Sequence, residues 1–189
     1  DVDGLALSDL SPYTSFSFWY GSQELLPGTP SSSTRVWNYT QQRVLWTVDW
    51  MVQRLGASHD PERLYVVGGS MGAIGAMYLL AEYPERFAAA LLRNGLYDLK
   101  ATDYRNPSLF QRLFGDFKLD LETRQGLPIL ERTNAVFMAS RDPSQEWPVL
   151  RTLSGRHDET VGWMSAVGFM RGLAEIGRPA VHYFDERTH

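Results

Sequence analysis

The sequence predicts an α/β fold, a mainly parallel sheet with helices on both faces. Three observations point to it. From residue 38 onward, short apolar runs rich in β-branched residues alternate with segments of helical period. Glycine, proline and asparagine punctuate the joints between them. One joint, "RLYVVGGSMGAIGAMYLL" from Arg63 to Leu80, runs from a strand pattern through Gly68, Gly69, Ser70 and Gly72 straight into a helix pattern.

The elements follow in order. "GLALSDL" reads as a short strand, "SPYTSFSFWYGSQE" as an aromatic loop, and "PGTPSSSTR" as a surface loop by composition. "NYTQQRVLWTVDWMVQRLG" reads as a helix, with Asn38 and Gln41 as a capping box and Gly56 as its stop. Val44, Val48, Met51, Val52 and Leu55 form its apolar stripe, and Trp46 and Trp50 are taken as packing residues. "RLYVVGG" reads as a buried strand, and the helix after it breaks near Pro84. "AAALLRNG" is the next strand. "NPSLFQRLFG" is a short helix, with Asn106 as cap, Pro107 in the first position and Gly115 at the end. "WPVLRTLSG", "WMSAVGFMRGLAEIG" and "AVHYFDE" give strand, helix and strand. Residues 101–146 carry a mixed pattern that resolves into no clear strand or long helix beyond the one at 106–115. The reading is one domain over 1–189.

Composition narrows the function. Of 189 residues, 43% are apolar and 21% charged, as in a folded globular chain. A net charge of 18 − 22 = −4 argues against nucleic-acid binding through phosphate contacts. No apolar run reaches the ~18–20 residues of a membrane span. No leader pattern opens the chain, so no compartment is assigned, and nothing bears on oligomeric state. With no cysteine, disulfides, thiol catalysis and cysteine-ligated metals are excluded. The four histidines show no ligand spacing, and no cofactor or metal is called for. Neither G-x-G-x-x-G nor G-x-x-x-x-G-K-[ST] is present, so the glycine-rich joint is no nucleotide fingerprint.

G-x-S-x-G between a strand and a helix is the pattern of a nucleophile elbow. Here it is Gly68 to Gly72, with small residues two before and two after Ser70 so that strand and helix approach closely. The turn exposes the Ser70 hydroxyl at the carboxyl end of the sheet and aims the Met71 amide at a developing oxyanion. A serine hydroxyl needs a base, and the base an orienting acid. In this arrangement the chain order is serine, acid, histidine. His59 precedes the serine, His157 lies in a loop, and His182 falls within the last strand. His189, just beyond that strand, is the expected base. Asp158 in "LSGRHDETVGW" is the expected acid, with Asp98 and Asp142 as competitors.

The motifs "GGSMGA", "SGRHDETVGW" and "YFDERTH" resemble those of α/β-hydrolases, in particular the prolyl-oligopeptidase-like and esterase branch. "DPERLYVVGGSMGA" and "YPERFAAAL" add to the likeness, which covers roughly 38–100 and 147–189. The resemblance implies a triad of Ser70, Asp158 (with Gly155 and Val161) and His189 (with Arg187), and a cap inserted at about 101–146, where such enzymes often carry one. No H-G-G-type stretch precedes Ser70, although the family carries its second oxyanion donor there. A fragment lacking its first strands is therefore expected, unless "GLALSDL" and its loop supply a donor. Trp163, Trp19 and Tyr20 are candidate pocket walls. The expected activity is hydrolysis of a small-molecule carboxylic ester. Peptide hydrolysis and a non-catalytic binding role are the alternatives.

Overall fold

The computed structural model describes residues 6–9, 16–56, 60–101, 105 and 107–189. A short antiparallel pair, β1 (Ser22–Gln23) and β2 (Val36–Trp37), leads into helix α1 (Tyr39–Leu55). Then come β3 (Tyr65–Gly69), α2 (Met71–Glu82), β4 (Ala89–Arg93), α3 (Ser108–Phe114), α4 (Ile129–Arg132) and α5 (Ala135–Ser140). The chain continues through β5 (Val149–Gly155), α6 (Trp163–Glu175) and β6 (Ala180–Asp185). β3, β4, β5 and β6 form one parallel sheet in that order, so each crossover carries at least one helix. No helix among the described residues is long and apolar enough to cross a membrane.

Two cores hold α2 between them. Ala73, Met77 and Leu80 face the sheet, where Ala90, Leu92 and Leu150 meet residues of α5 and α6. Ile74 and Tyr78 face a second core with Phe18, Tyr20, Val36, Phe110, Phe114 and Ile129. A helix enclosed on both sides must be apolar all round, which explains why Ala73 through Ala81 are all buried.

Helices on both faces were expected. The described helices α1, α2, α5 and α6 all feed the first core, on one face. The opposite face presents Tyr65, Val67, Leu91, Val149, Val181 and Tyr183 to solvent. β3 is therefore half-buried rather than buried, with Val66 turned inward and Val67 74% exposed.

Other local expectations shift. Asn38 occupies the N-cap of α1, but its side chain bonds the Gln41 and Gln42 side chains instead of a backbone amide. Trp46 is 67% exposed and Trp50 48%. At about 100° per residue Trp46 lies some 200° around the helix from Val44, so it faces away from the stripe that packs. α3 begins after Pro107 and ends at Gly115, whose φ is 81°; the expected cap Asn106 lies outside the described residues. Within "GLALSDL", residues 6–9 are in no strand and the rest lies outside the described residues. In the 101–146 segment, α3 and α4 build the second core and α5 the first.

Candidate active site

The site is assembled from the carboxyl ends of the strands. β3 ends at Gly69, and Ser70 turns the chain into α2 with φ 51° and ψ −119°. A non-glycine residue in such a conformation stores on the order of 1–3 kcal/mol. The turn is pinned because the Ser70 amide donates to the Arg93 carbonyl at 2.8 Å. Of the glycines around it, Gly68 is sterically required: a β-carbon there would run into the Gly72 carbonyl at the start of α2. A β-carbon on Gly72 would meet nothing, so the close approach rests on the residue two before the serine and not on the one two after. Gly75 is required for another reason, since the Trp19 side chain lies against it.

Asp158 lies in the turn between β5 and α6. Its Oδ1 accepts the amides of Thr160 (2.8 Å) and Val161 (3.0 Å), which fixes the carboxylate and leaves Oδ2 free to face the sheet end. The side chain is 4% exposed. After β6 the chain folds back over this turn. The amides of Arg156 and His157 donate to the carbonyls of Asp185 and Arg187, at 2.7 and 3.2 Å. Gly155 is the crossing point, where a β-carbon would collide with the Arg187 carbonyl. Arg187 also binds the Asp185 carboxylate, and its hydrogen bonds hold that carboxyl below its ordinary pKa.

This path delivers His189. Its Nδ1 lies 2.8 Å from Asp158 Oδ2, and its Nε2 lies 2.6 Å from Ser70 Oγ. A carboxylate only accepts, so Nδ1 carries the proton and Nε2 is left to accept from the serine hydroxyl. The structure thus brings together Ser70, Asp158 and His189. Met71 opens α2, and the first amides of a helix have no acceptor within it, so its N–H is available beside Ser70.

The competitors lie elsewhere. Asp98 accepts from Lys100 and Asn134, and Asp142 accepts from Ser144 in an exposed turn. His157 is exposed and paired with Glu186. His182 faces α6 from β6, bonded to Thr152 Oγ1 at 2.7 Å, with burial lowering its pKa. His59 lies outside the described residues.

The pocket candidates need correction. Tyr20 is fully buried in the second core beneath the Arg132 guanidinium, so it walls no surface pocket. Its ring belongs with Tyr78 and Phe114 because the loop turns it inward. Trp19 lies on Gly75, one turn along α2 from Ser70, in a loop pinned by Asp9, which accepts the Ser17 and Trp19 amides. Those amides, and that of Tyr20 on the Ser17 carbonyl, are committed within the loop. Trp163 opens α6 with its ring edge-on to Phe184 of β6. A cavity of about 370 Å³ lies along α6, among Asp98, Asn134, Val136, Met164 and Gly168; neither Ser70 nor His189 lines it.

Sequence reasoning missed Asn94, which directly follows β4 with φ 50° between Ser70 and the acid turn. The "RNG" after that strand marks a turn and nothing more.

A family model described as the alpha/beta hydrolase fold matches residues 26–178. Acetylxylan esterase A of Aspergillus awamori is 32% identical over 98 residues, which cover 46% of this chain and 31% of that protein. The chain spans about a third of the length of the curated relatives it matches. An S-formylglutathione hydrolase from Agrobacterium tumefaciens superposes with a TM-score of 0.64 at 17% identity, over 93% of this chain and 57% of that one. The acylaminoacyl peptidase of Pyrococcus horikoshii gives 0.63 at 16%, over 79% and 23%.

Proposed function

The chain belongs to the alpha/beta hydrolase fold family, and on that premise we propose that it is a serine hydrolase cleaving a carboxylic ester through an acyl-enzyme. The observation that carries this reading is the pair of hydrogen bonds made by His189, 2.6 Å to Ser70 and 2.8 Å to Asp158. Nε2 takes the hydroxyl proton as Ser70 Oγ attacks the ester carbonyl. Asp158 holds the ring in the accepting tautomer and stabilises the imidazolium. The Met71 amide receives the oxyanion at the positive end of α2. Collapse expels the alcohol, which takes the proton from Nε2. Water then repeats the sequence on the acyl-serine and frees the acid.

An ester is favoured over a peptide by the kind of likeness involved. The curated relatives matched by sequence are named as esterases, whereas the peptidase neighbours share the fold at identities too low to carry an activity. A non-catalytic role is disfavoured by the strained Ser70 turn, a cost of the type found at working sites.

The test is turnover of p-nitrophenyl acetate against aminoacyl p-nitroanilides. Ester cleavage unaffected by a chelator, with nitroanilides left intact, supports the reading. Preferential nitroanilide cleavage shifts it to a peptidase, and loss of activity to a chelator refutes the serine mechanism.

A further inference from the structure

We propose that Asn94 is a positioning residue that sets the distance between His189 and Ser70. The inference rests on the serine-hydrolase reading of the site and adds to it a residue that touches none of the reacting atoms. Asn94 stands at the carboxyl end of β4, directly after Arg93, whose carbonyl accepts the Ser70 amide at 2.8 Å. On its other side, its own amide donates to the Leu153 carbonyl of β5 at 2.8 Å. Its side-chain Oδ1 accepts the Gly155 amide at 3.3 Å, across 61 residues of sequence. Asn94 thus joins the strand that pins the serine to Gly155, the last residue of β5 before the acid turn.

Gly155 is also where the returning chain crosses. Its missing side chain leaves the room that the Arg187 and Thr188 carbonyls occupy, and His189 follows directly. The contacts therefore close a ring: Ser70 to Arg93, Asn94 to Gly155, Gly155 under Arg187 and Thr188, and His189 back to Ser70. The ring has a side-chain link at Asn94, besides the one between imidazole and hydroxyl. The residue type fits the position. The backbone there is left-handed, with φ 50°, which asparagine tolerates better than most residues. The residue is 6% exposed, so water competes little for Oδ1. Glycine would adopt the same backbone without the amide. Aspartate would keep both the acceptor and the tolerance of a left-handed backbone.

That contrast gives the experiment. Asn94→Gly and Asn94→Asp are compared with the wild type by p-nitrophenyl acetate kinetics, by hydrogen exchange of the Gly155 amide, and by the low-field proton resonance of His189 Nδ1–H. A misplacement of about 1 Å can cost on the order of 10²-fold in rate. Asn94→Gly is expected to lower kcat by about 10–100-fold with KM within about twofold. It should also speed exchange at Gly155 and broaden the His189 resonance. Asn94→Asp should recover most of the kcat and the slow exchange. Wild-type kcat and exchange in Asn94→Gly would overturn the proposal. So would equal losses in both variants, which mark a residue needed only for folding. Ser70→Ala separates the two readings. It should abolish turnover while leaving Gly155 exchange and the His189 resonance in place. Turnover surviving in Ser70→Ala sinks the serine reading, whereas the exchange and resonance of the Asn94 variants judge the ring whatever the turnover.

Discussion

His189 Nε2 lies 2.6 Å from Ser70 Oγ although 119 residues separate them in sequence. The contact depends on how the chain returns after β6. The backbone bonds from Arg156 to Asp185 and from His157 to Arg187 lay the tail over the acid turn. The Asp158 carboxylate then takes the imidazole from below.

The elbow glycines are not equivalent. A β-carbon on Gly68 meets the Gly72 backbone, whereas one on Gly72 meets open space. Gly68→Ala is expected to cost about 1–3 kcal/mol through forced separation of β3 and α2. Gly72→Ala should be neutral, or stabilising by up to about 1 kcal/mol, because alanine is the better helix former. Urea denaturation of the two variants checks this. Equal losses would place the strand–helix contact elsewhere.

Arg132 is fully buried and paired with Glu82, with the Tyr78 carbonyl and Gln41 as further acceptors. The pair ties α4 to the end of α2 and roofs Tyr20. Glu82→Gln leaves the guanidinium buried without a counter-charge, and a loss of about 3–5 kcal/mol is expected. The double variant Glu82→Gln/Arg132→Met removes both charges and should recover part of that loss. Thermal denaturation measures both, and a Glu82→Gln variant as stable as wild type would show that the pair contributes nothing.

Burial lowers the pKa of His182. Below the ordinary value of about 6.5 the unfolded chain binds a proton that the folded chain resists. Stability should therefore fall as pH drops from about 6.5 toward the lower folded pKa, and be unaffected by this group above that window. His182→Gln should flatten that limb of a melting-temperature profile between about pH 5 and 7. A profile unchanged by the substitution would assign the acid sensitivity to other groups.

Much of this was legible in the sequence where a pattern repeats over enough residues. β3, α2, β4, β5, α6 and β6 carry apolar runs with punctuation at both ends, and Ser70, Asp158 and His189 fall just past strand ends, where a parallel sheet gathers its loops. α4 and α5, of four and six residues, are too short for a helical period to show. Tyr20 and Trp46 exchanged their expected places. The loop around Phe18 and Trp19 has left-handed backbone that turns Tyr20 inward, and a helix with one packed stripe leaves tryptophan outside as readily as inside. Asn94 was invisible because its side chain's contact, to the Gly155 amide, lies 61 residues away in sequence.

Ser70 is proposed as a nucleophile activated by His189. The most direct test is labelling with a fluorophosphonate, with the modified residue located by peptide mass spectrometry. Phosphonylation of Ser70 is expected in the wild type, and none at that peptide in Ser70→Ala. In His189→Ala the labelling rate should fall by several orders of magnitude, on the order of 10⁶ where serine and histidine act as one unit. Modification of a different serine, or labelling of Ser70 at the wild-type rate in His189→Ala, would contradict it.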